Sequence, residues 1–514
     1  MNLILTNANV ITMDPLHPTA KTVLVRDGKV VSIGREGDTF ESLSAGFEVI
    51  DCRGKTVLPG FVDAHIHLHA FAESLVTLDL TPARGYISIG KIQEGLRRHS
   101  QYLQEGMWIR ARGYNEFYLS EKRHPIRLDL DEAVPLHPVK LTHRSGHAHV
   151  LNSLALKLVG ISDETPDPPG GLIERDLQTG EPTGLLFEMG EFLSRSIPPL
   201  DREAMDRAVR SASENLLSLG ITSVQDATYR RNCERWRDIS AWKERAIFRP
   251  RVSMMLGMFG SEEFNRGDYS SGVHQDQLRL GAAKIVVDQT TGETYPRQSD
   301  LNEMVSRSHR LGLQVAIHAI EEPAVESACI AIEQALRALP RSDHRHRIEH
   351  CSVCRPEMAR RLAPLGILVV TQPSFIYYHG DRYLATVPSD QVDHLYPIRT
   401  LIESGICVAA GSDSPIVPPN PLIALYSVVS RRSESGQTVL AKEAVNLKEA
   451  LRMFTQNAAK ATFEEEFKGT VAPGKAADLV ILSGDIMKAS LEEIPHLEVE
   501  ATILDGEVVW EKGS

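Results

Sequence analysis

Two histidines separated by one residue are the sharpest chemical signal in this sequence. His65 and His67 lie in Asp63-Ala64-His65-Ile66-His67, directly after the apolar run Leu58-Pro59-Gly60-Phe61-Val62. Such a run, entered through Pro-Gly, predicts a buried strand, and side chains two residues apart on a strand point to the same side. Two neutral imidazoles on one face are half of a zinc site. The motif therefore predicts a metal site at the carboxyl end of a strand.

Four more residues with ligand chemistry stand beside later apolar runs. Lys284 begins the run Ile285-Val286-Val287, and His318, His350 and Asp413 close the runs at 313–317, 347–349 and 408–412. Taken alone, each is more often structural, because a strand-end histidine usually packs and a lysine beside a strand usually extends to solvent. Together they occur in order, with gaps that fit βα units, and barrel enzymes build their sites at the carboxyl ends of strands. We therefore expect these residues in one metal centre.

The middle of the chain alternates apolar strands with helical stretches. Strands are predicted at residues 60–65, 221–225, 283–287, 314–318, 347–350, 367–371 and 406–410. Helices are predicted between several of them, at residues 301–311, 322–338 and 356–362. Repeated βα alternation predicts a parallel sheet, either open or closed into a barrel.

Both ends of the chain are rich in short strands, with the hairpin signals Asp27-Gly28 and Asp505-Gly506 between them. We predict one β domain built from residues 1–58 and 465–514, beside a barrel of residues 59–464. Two unrelated β extensions are the alternative. Residues from about 80 to 215 break the βα rhythm and are predicted to form an insertion with its own helices and a hairpin around Thr179-Gly180.

Composition and charge exclude several classes of function. The 514 residues are 42% hydrophobic and 24% charged, with a formal charge of −12, which is typical of a soluble globular protein. A negative surface argues against nucleic acid and anionic lipid as partners. Apolar runs are too short for a membrane helix, a signal peptide is not expected, and the scattered cysteines form no disulfide framework. We expect a cytoplasmic protein that acts on a small molecule, with a homodimer as the commonest oligomer.

The strand-end motifs resemble those of the metal-dependent amidohydrolase superfamily over nearly the whole chain. The resemblance includes residues 58–67, the tail Gly474-Lys475-Ala476-Ala477-Asp478-Leu479-Val480 and the Asp505-Gly506 turn. More narrowly, the chain is similar to amidohydrolase family 3, the group that includes N-substituted formamide deformylases. That likeness rests on Gly146-His147-Ala148-His149-Val150-Leu151-Asn152-Ser153-Leu154-Ala155-Leu156, on Pro168-Pro169-Gly170-Gly171 and on Pro182-Thr183-Gly184. The resemblance implies an α/β fold, a (β/α)8 TIM-type barrel with a small β-sandwich domain built from both termini.

The resemblance also implies a set of metal ligands. His65, His67 and Asp413 would bind one divalent ion, with zinc as the first candidate. A carboxylated Lys284 would bridge to a second ion held by His318 and His350, although some relatives hold one ion and need no bridge. A bare ammonium is unfavourable beside cations, whereas a carbamate supplies the anionic oxygens that two ions about 3.5–4 Å apart require. Such ions lower the pKa of water to about 7, and Asp413 would accept the proton as catalytic base.

Other polar residues are candidates for contact with the substrate or with the ligands. His147, Gln372 and Tyr295 are predicted to touch substrate, and Gln225-Asp226 is predicted to orient a ligand histidine. For each of them, ordinary packing or a place on the surface is the commoner role of such a residue.

These residues favour a hydrolase of non-peptide carbon–nitrogen bonds, acting on a small-molecule amide or N-substituted formamide through a metal-activated hydroxide. The alternative enzyme is a deaminase of a heterocycle on the same barrel, with one ion and no carbamate, and Lys284 favours the first. A scaffold without catalysis is the third hypothesis, disfavoured because no expected ligand type is missing. The substrate, the metal and the role of the insertion stay open, because loop sequence does not translate into pocket shape.

Overall fold

The computed structural model describes residues 2–35, 46–168, 170–230, 232–257, 277–289 and 294–513. Its contacts divide the chain into two units, residues 1–68 with 209–514 and residues 69–208. Among the described residues, no helix combines the length and the apolar character needed to cross a bilayer.

The strands are, in chain order, β1 Asn2–Thr6, β2 Asn9–Ile11, β3 Thr19–Ala20, β4 Thr22–Arg26, β5 Lys29–Gly34, β6 Glu48–Asp51, β7 Thr56–Pro59, β8 Phe61–Ile66, β9 Leu78–Asp79, β10 Ile109–Tyr114, β11 Val139–His143, β12 Ala148–Leu151, β13 Leu172–Arg175, β14 Pro182–Phe187, β15 Ile221–Asp226, β16 Arg251–Gly257, β17 Leu278–Val286, β18 Val315–Ala319, β19 Arg347–His350, β20 Leu368–Thr371, β21 Val408–Ala410, β22 Leu479–Leu482, β23 Val499–Leu504 and β24 Glu507–Glu511.

The α-helices are α1 Leu68–Val76, α2 Ile89–Ser100, α3 Arg127–Ala133, α4 Ser153–Val159, α5 Gly190–Ser196, α6 Arg202–Ser218, α7 Asn232–Glu244, α8 Gln298–Arg310, α9 Glu322–Ala338, α10 Pro356–Leu362, α11 Ser374–Thr386, α12 Ser389–Val392, α13 Ile398–Glu403, α14 Pro421–Ser430, α15 Leu447–Met453 and α16 Gln456–Lys460.

An eight-stranded parallel sheet carries the candidate ligands, in the order β21-β20-β19-β18-β17-β16-β15-β8. Its edge strands approach each other where the Asp413 N–H donates to His65 O at 2.7 Å and the Ser412 N–H donates to Asp63 at 2.9 Å. Strands such as β8, β15, β19 and β20 are buried along their whole length, as expected when helices cover one face and the barrel interior the other. The predicted TIM-type α/β barrel is confirmed.

All seven strands predicted for the barrel are present, together with an eighth strand, β16, that the sequence pattern did not predict. β16 is buried throughout and pairs in parallel with β15 and β17. Its centre contains Met254 and Met255 instead of the β-branched side chains that identify most of the other strands. The local pattern therefore gives β16 no strand signal, and only its two neighbours make it a strand.

Strands from both ends of the chain share one sheet. The six-stranded order is β24-β23-β22-β7-β2-β3, and Leu479 of β22 lies opposite Pro59 of β7. A second sheet has the order β5-β4-β1-β6, and buried side chains of both sheets, such as Leu5 and Ile503, form a common core. The contacts group both sheets with the barrel in a single unit, so a separate β-sandwich domain with boundaries at 58 and 465 stays a prediction.

Residues 69–208 overlap the predicted insertion and carry a sheet of their own, in the order β13-β14-β12-β11-β10-β9. The predicted hairpin is formed by β13 and β14, with Gly180 in a left-handed conformation at a φ of 74°. Asn152 is fully buried, and its side chain accepts hydrogen bonds from the N–H groups of Val139 at 2.9 Å and Ala155 at 3.0 Å. It therefore caps α4 and ties it to the sheet, so this residue of the 146–156 segment has a structural role.

Three buried histidines lie together at the start of β19. His346 Nδ1 accepts from the Val315 N–H at 3.0 Å, and its Nε2 lies 2.8 Å from His309 Nδ1. His344 Nδ1 accepts from the His346 N–H at 2.9 Å and its Nε2 donates to a carbonyl at 2.8 Å. Burial lowers the pKa of His346 to about 2 and also lowers the pKa of His344. Both rings are therefore neutral in the folded protein.

We expect this cluster to make folding sensitive to acid. Unfolded histidine has a pKa of about 6.5, so below that pH the unfolded chain binds protons that the folded rings do not. The free energy of unfolding should therefore fall with decreasing pH, by up to about 1.4 kcal/mol per pH unit for each such histidine. In His346→Gln the free energy of unfolding should depend less steeply on pH between about 6.5 and 5, the range over which a free imidazole gains its proton. Urea unfolding at several pH values measures this slope.

The exposed His496→Gln provides the matched control. Equal pH slopes for His346→Gln, His496→Gln and the native chain would contradict the assignment of the acid sensitivity to His346.

Candidate metal centre

His65, His67 and Asp413 meet at the carboxyl ends of the two edge strands. His65 is fully buried in β8, His67 directly follows β8, and Asp413 follows β21. Asp413 Oδ1 lies 3.1 Å from His67 Nε2 and 3.5 Å from His65 Nε2. One donor atom from each of the three residues lies within 4.8 Å of the other two. The structure thus brings together the residues predicted to share one ion.

His318, His350 and Lys284 lie in the same part of the barrel. The ring centroids of His318 and His350 are 4.3 Å apart, and those of His350 and His65 are 4.9 Å apart. Lys284 on β17 is 3% exposed, close enough to Asp413 for its ammonium to feel the negative charge of that carboxylate. The six predicted ligands are therefore neighbours, although they come from five strand ends.

Two of these strand ends have an unusual backbone conformation. His350 has a φ of 72° and Asp413 a φ of 57°, in the left-handed region that residues other than glycine rarely adopt. Such conformations carry a strain of about 1–3 kcal/mol and persist only where surrounding contacts hold them. At Asp413 the hydrogen bond from its N–H to His65 O is one of those contacts.

The Nε2 atom of His67 faces the Asp413 carboxylate. Thr228 donates its hydroxyl proton to Asp226 at 2.8 Å, so the Thr228 oxygen accepts from His67 Nδ1 at 3.1 Å. In a neutral ring with its proton on Nδ1, the lone pair of Nε2 faces Asp413 Oδ1, which is another acceptor. Two acceptors 3.1 Å apart repel each other, and either a proton or a bound cation between them removes the repulsion. This contact fits a bound divalent ion.

The other histidines with an identified partner show the same arrangement. The amide oxygen of Gln372 accepts from His350 Nδ1 at 2.7 Å, and the Glu349 carboxylate accepts from His65 Nδ1 at 2.5 Å. Each ring therefore keeps a lone pair on Nε2, and His65 Nε2 is buried without a hydrogen bond to any described residue. Imidazole and carboxylate donors suit Zn, Mn, Fe or Ni, so the residues present fit a divalent metal.

Burial keeps the candidate histidines in the form that binds metal. It lowers the pKa of His65 to about 3, and it lowers the pKa values of His318 and His350 as well. Neutral imidazole is the state that coordinates an ion. Burial also lowers the pKa of Lys284 to about 8, although the carboxylates of Glu349 and Asp413 oppose this shift.

Two charged residues beside this group were not predicted from the sequence. Arg347 and Glu349 alternate on β19, both completely buried, and form an ion pair. Gln225, which we expected to orient a histidine, accepts a hydrogen bond from Arg347 at 2.6 Å, and Arg347 in turn contacts Glu349, the partner of His65. The available signal was a pair of opposite charges two residues apart in an apolar strand, since charges are rarely buried unpaired.

The three residues predicted to touch substrate have different surroundings. Gln372 is completely buried and contacts His350, as described above. Tyr295 is 71% exposed. His147 belongs to the unit of residues 69–208, where its exposed side chain lies 2.8 Å from the Glu188 carboxylate. Contact with a substrate stays a prediction for all three.

The chain is similar in sequence and in fold to several known proteins. A sequence family described as "Amidohydrolase family" matches residues 48–510. The N-substituted formamide deformylase of Arthrobacter pascens is 32% identical over 99% of this chain and 98% of its own length. Crystal structures of uncharacterized metal-dependent hydrolases from Pyrococcus horikoshii OT3 and Pyrococcus furiosus match with TM-scores of 0.76 and 0.73 and identities of 23% and 26%. These alignments cover 96% and 95% of this chain and 99% and 100% of the two structures.

Gly411 offers a test of how tightly the edge strands must meet. A Cβ at this position would lie 2.5 Å from His65 N and 2.6 Å from His65 Cβ. Gly411→Ala should therefore push Asp413 and His65 apart and lower the free energy of unfolding by about 1–3 kcal/mol, as overpacking typically does. Thermal unfolding of the metal-free protein measures this effect.

Gly90→Ala is the matched control, because Gly90 lies in α2 and the new Cβ would lie 3.9 Å from Ser88 Oγ, an ordinary contact distance. It should be neutral or stabilising by about 0.5–1 kcal/mol. Equal melting temperatures for the two variants would contradict the close approach.

Proposed function

Because the chain belongs to the amidohydrolase family, we propose that it hydrolyses a small-molecule amide or N-substituted formamide with the help of divalent metal ions. Family membership makes the chain a hydrolase of carbon–nitrogen bonds other than peptide bonds. The narrower substrate class is supported by the likeness to a formamide deformylase over 99% of the chain. The observation that carries the metal-dependent chemistry is the convergence of His65, His67 and Asp413 within 4.8 Å.

Two groups of ligands are proposed. The first consists of His65, His67 and Asp413, and the second of His318, His350 and Lys284. A bound divalent ion supplies two effects, a lowered pKa of water and a polarised substrate carbonyl. The lone pairs left on the histidine Nε2 atoms support the first group, and the close packing of the His318 and His350 rings supports the second.

Asp413 is proposed as the group that moves the proton. As a carboxylate it accepts the proton of the attacking water, and it then donates this proton to the nitrogen of the breaking carbon–nitrogen bond. The amine leaves with that proton, and the acyl carbon becomes a carboxylic acid. The hydrogen bond from the Asp413 N–H to His65 O fixes the carboxylate relative to the edge strand β8.

Lys284 is proposed to carry a carboxyl group on its side-chain nitrogen. Its Nζ is buried and has no hydrogen-bond partner among the described residues. Only the neutral amine reacts with carbon dioxide, forming a carbamate and releasing one proton, and the lowered pKa of about 8 increases the neutral fraction. The carbamate oxygens would then be available as anionic ligands to the ions of both groups.

Several narrower features belong to the same proposal. Zinc is the first candidate for the ion, because imidazole and carboxylate are common zinc ligands.

The common core of the two terminal sheets supports a β-sandwich domain. Buried thiols such as those of Cys351 and Cys354, which form no disulfide, support a reducing compartment such as the cytoplasm, and a homodimer is the commonest assembly.

The function is tested by metal analysis combined with a substrate screen. The purified protein should contain divalent metal and should hydrolyse members of a panel of N-formyl, N-acyl and cyclic amides. Removal of the metal by a chelator should abolish turnover, and added Zn²⁺ should restore it. His65→Ala should lose both metal and turnover because one ligand is missing, whereas the exposed His17→Ala should keep both.

The same experiment separates the two enzyme hypotheses. Release of ammonia from heterocyclic amines with one ion per chain, and no turnover of amides, would favour the deaminase. Full turnover of an amide by His65→Ala would contradict a metal-dependent mechanism at this centre.

Lys284→Ala tests the bridging carbamate. We expect the metal content to fall from two ions to one per chain and the turnover to fall with it, because the shared anionic ligand is lost. Short carboxylates such as acetate should restore part of both by occupying the space of the carbamate. Elemental analysis and the rate of amide hydrolysis measure the outcome.

Lys468→Ala is the matched control, since Lys468 is also buried but pairs with Glu464 at 3.1 Å. It should retain the native metal content. Native metal content in Lys284→Ala, with no response to acetate, would rule out the bridge.

A further inference from the structure

A buried ion pair links three strands of the barrel to the candidate centre. Arg347 and Glu349 are both completely buried on β19. Arg347 Nε and Nη2 bind the two carboxylate oxygens of Glu349, the second at 3.0 Å. This two-point contact fixes the plane of the carboxylate, because both of its oxygens are engaged by one rigid guanidinium.

Arg347 also reaches two strands that are not neighbours of β19 in the sheet. It donates to the Ala64 carbonyl of β8 at 2.7 Å and to the Gln225 amide oxygen of β15 at 2.6 Å. Gln225 is held in turn, because its amide nitrogen donates to the Ala458 carbonyl at 2.7 Å. The guanidinium therefore crosses the barrel interior, and each of its three nitrogens has a partner.

The Glu349 carboxylate also forms a hydrogen bond with His65. Glu349 Oε2 lies 2.5 Å from His65 Nδ1. An ionised carboxylate can only accept, so the proton of this contact is on His65 Nδ1 and the lone pair is on Nε2. His65 Nε2 in turn lies 3.5 Å from Asp413 Oδ1, on the side of the ring away from Glu349.

His65 differs from His67 and His350 in the charge of the group that its Nδ1 contacts. The partners of His67 and His350 are the hydroxyl of Thr228 and the amide of Gln372, which carry no charge. A carboxylate partner fixes the tautomer of a ligand histidine and makes the ring a stronger electron donor. Only His65, among the candidate histidines whose Nδ1 partner is identified in the described residues, has an anion in that place.

We propose that Glu349, held ionised by Arg347, is a positioning residue that sets the affinity of the centre for its cation through His65. The proposal rests on the metal centre described under the proposed function, and it adds two residues that bind no ion themselves. A purely structural role explains the pair less well. Replacing a buried ion pair by apolar residues is often neutral or stabilising, so burial of these charges is weak evidence for stability alone.

The affinity of the metal-free protein for Zn²⁺ tests this proposal without a substrate. Glu349→Gln keeps the size of the side chain but removes its charge, and we expect Zn²⁺ binding to weaken about 10- to 100-fold, as loss of such a partner typically does. Competition with a chromophoric chelator measures the dissociation constant. Glu349→Asp restores the charge and should recover part of the affinity.

Glu464→Gln is the matched control for loss of a buried, ion-paired carboxylate. Glu464 is 6% exposed and pairs with Lys468 at 3.1 Å and Arg279 at 3.6 Å. It should change the stability but leave the Zn²⁺ dissociation constant close to the native value. Equal weakening in Glu464→Gln and Glu349→Gln, or no weakening in Glu349→Gln, would overturn the proposal.

A second measurement needs no folded variant at position 349. Protein labelled with ¹⁵N-histidine should show His65 in the tautomer protonated at Nδ1 before any metal is added, with the resonance assigned from its loss in His65→Gln. A proton on Nε2 would overturn the role of Glu349. If the native chain bound no divalent metal, the proposed function would fail, while the tautomer would still decide whether Glu349 positions His65.

Discussion

Closure of the barrel between β8 and β21 is the constraint on which the candidate centre depends. His65 and His67 come from the first barrel strand and Asp413 from the last, and they meet only because the two edges of the sheet meet. The absence of a side chain at Gly411 permits this approach, and the hydrogen bond from the Asp413 N–H to His65 O secures it. The ligand geometry is thus a property of the closed sheet and not of any single loop.

Much of this architecture follows from local patterns in the sequence. Apolar runs ending in His65, His318 and His350 predict both the strands and the ends at which the candidate ligands lie, because the carboxyl ends of parallel strands share one edge. β16 could not be found in this way, since Met254 and Met255 pack as a strand only because β15 and β17 lie beside them. The hydrophobic pattern of a segment indicates which of its faces is buried, but it does not indicate which strands will lie beside it.

The contacts of Arg347 could not be predicted from the sequence either. Its partners Ala64 and Gln225 lie far away in the chain and on strands that are not adjacent to β19 in the sheet. Which side chains meet across a barrel interior depends on strand tilt and register, and these are set by the closed sheet as a whole. The sequence therefore identified residues that the fold brings together, but it did not identify Arg347 and Glu349, which are buried beside them.

The pairing of β22 with β7 has a consequence for how the chain folds as it is made. β7 directly precedes β8, yet the strand that covers one of its edges is synthesised near the end of the chain. At the rate of translation, about 5–20 residues per second, that partner emerges on the order of tens of seconds later. Until then the edge of β7 is open to other chains, as any unpaired strand is. Completion of this sheet must therefore wait until β22 has been synthesised.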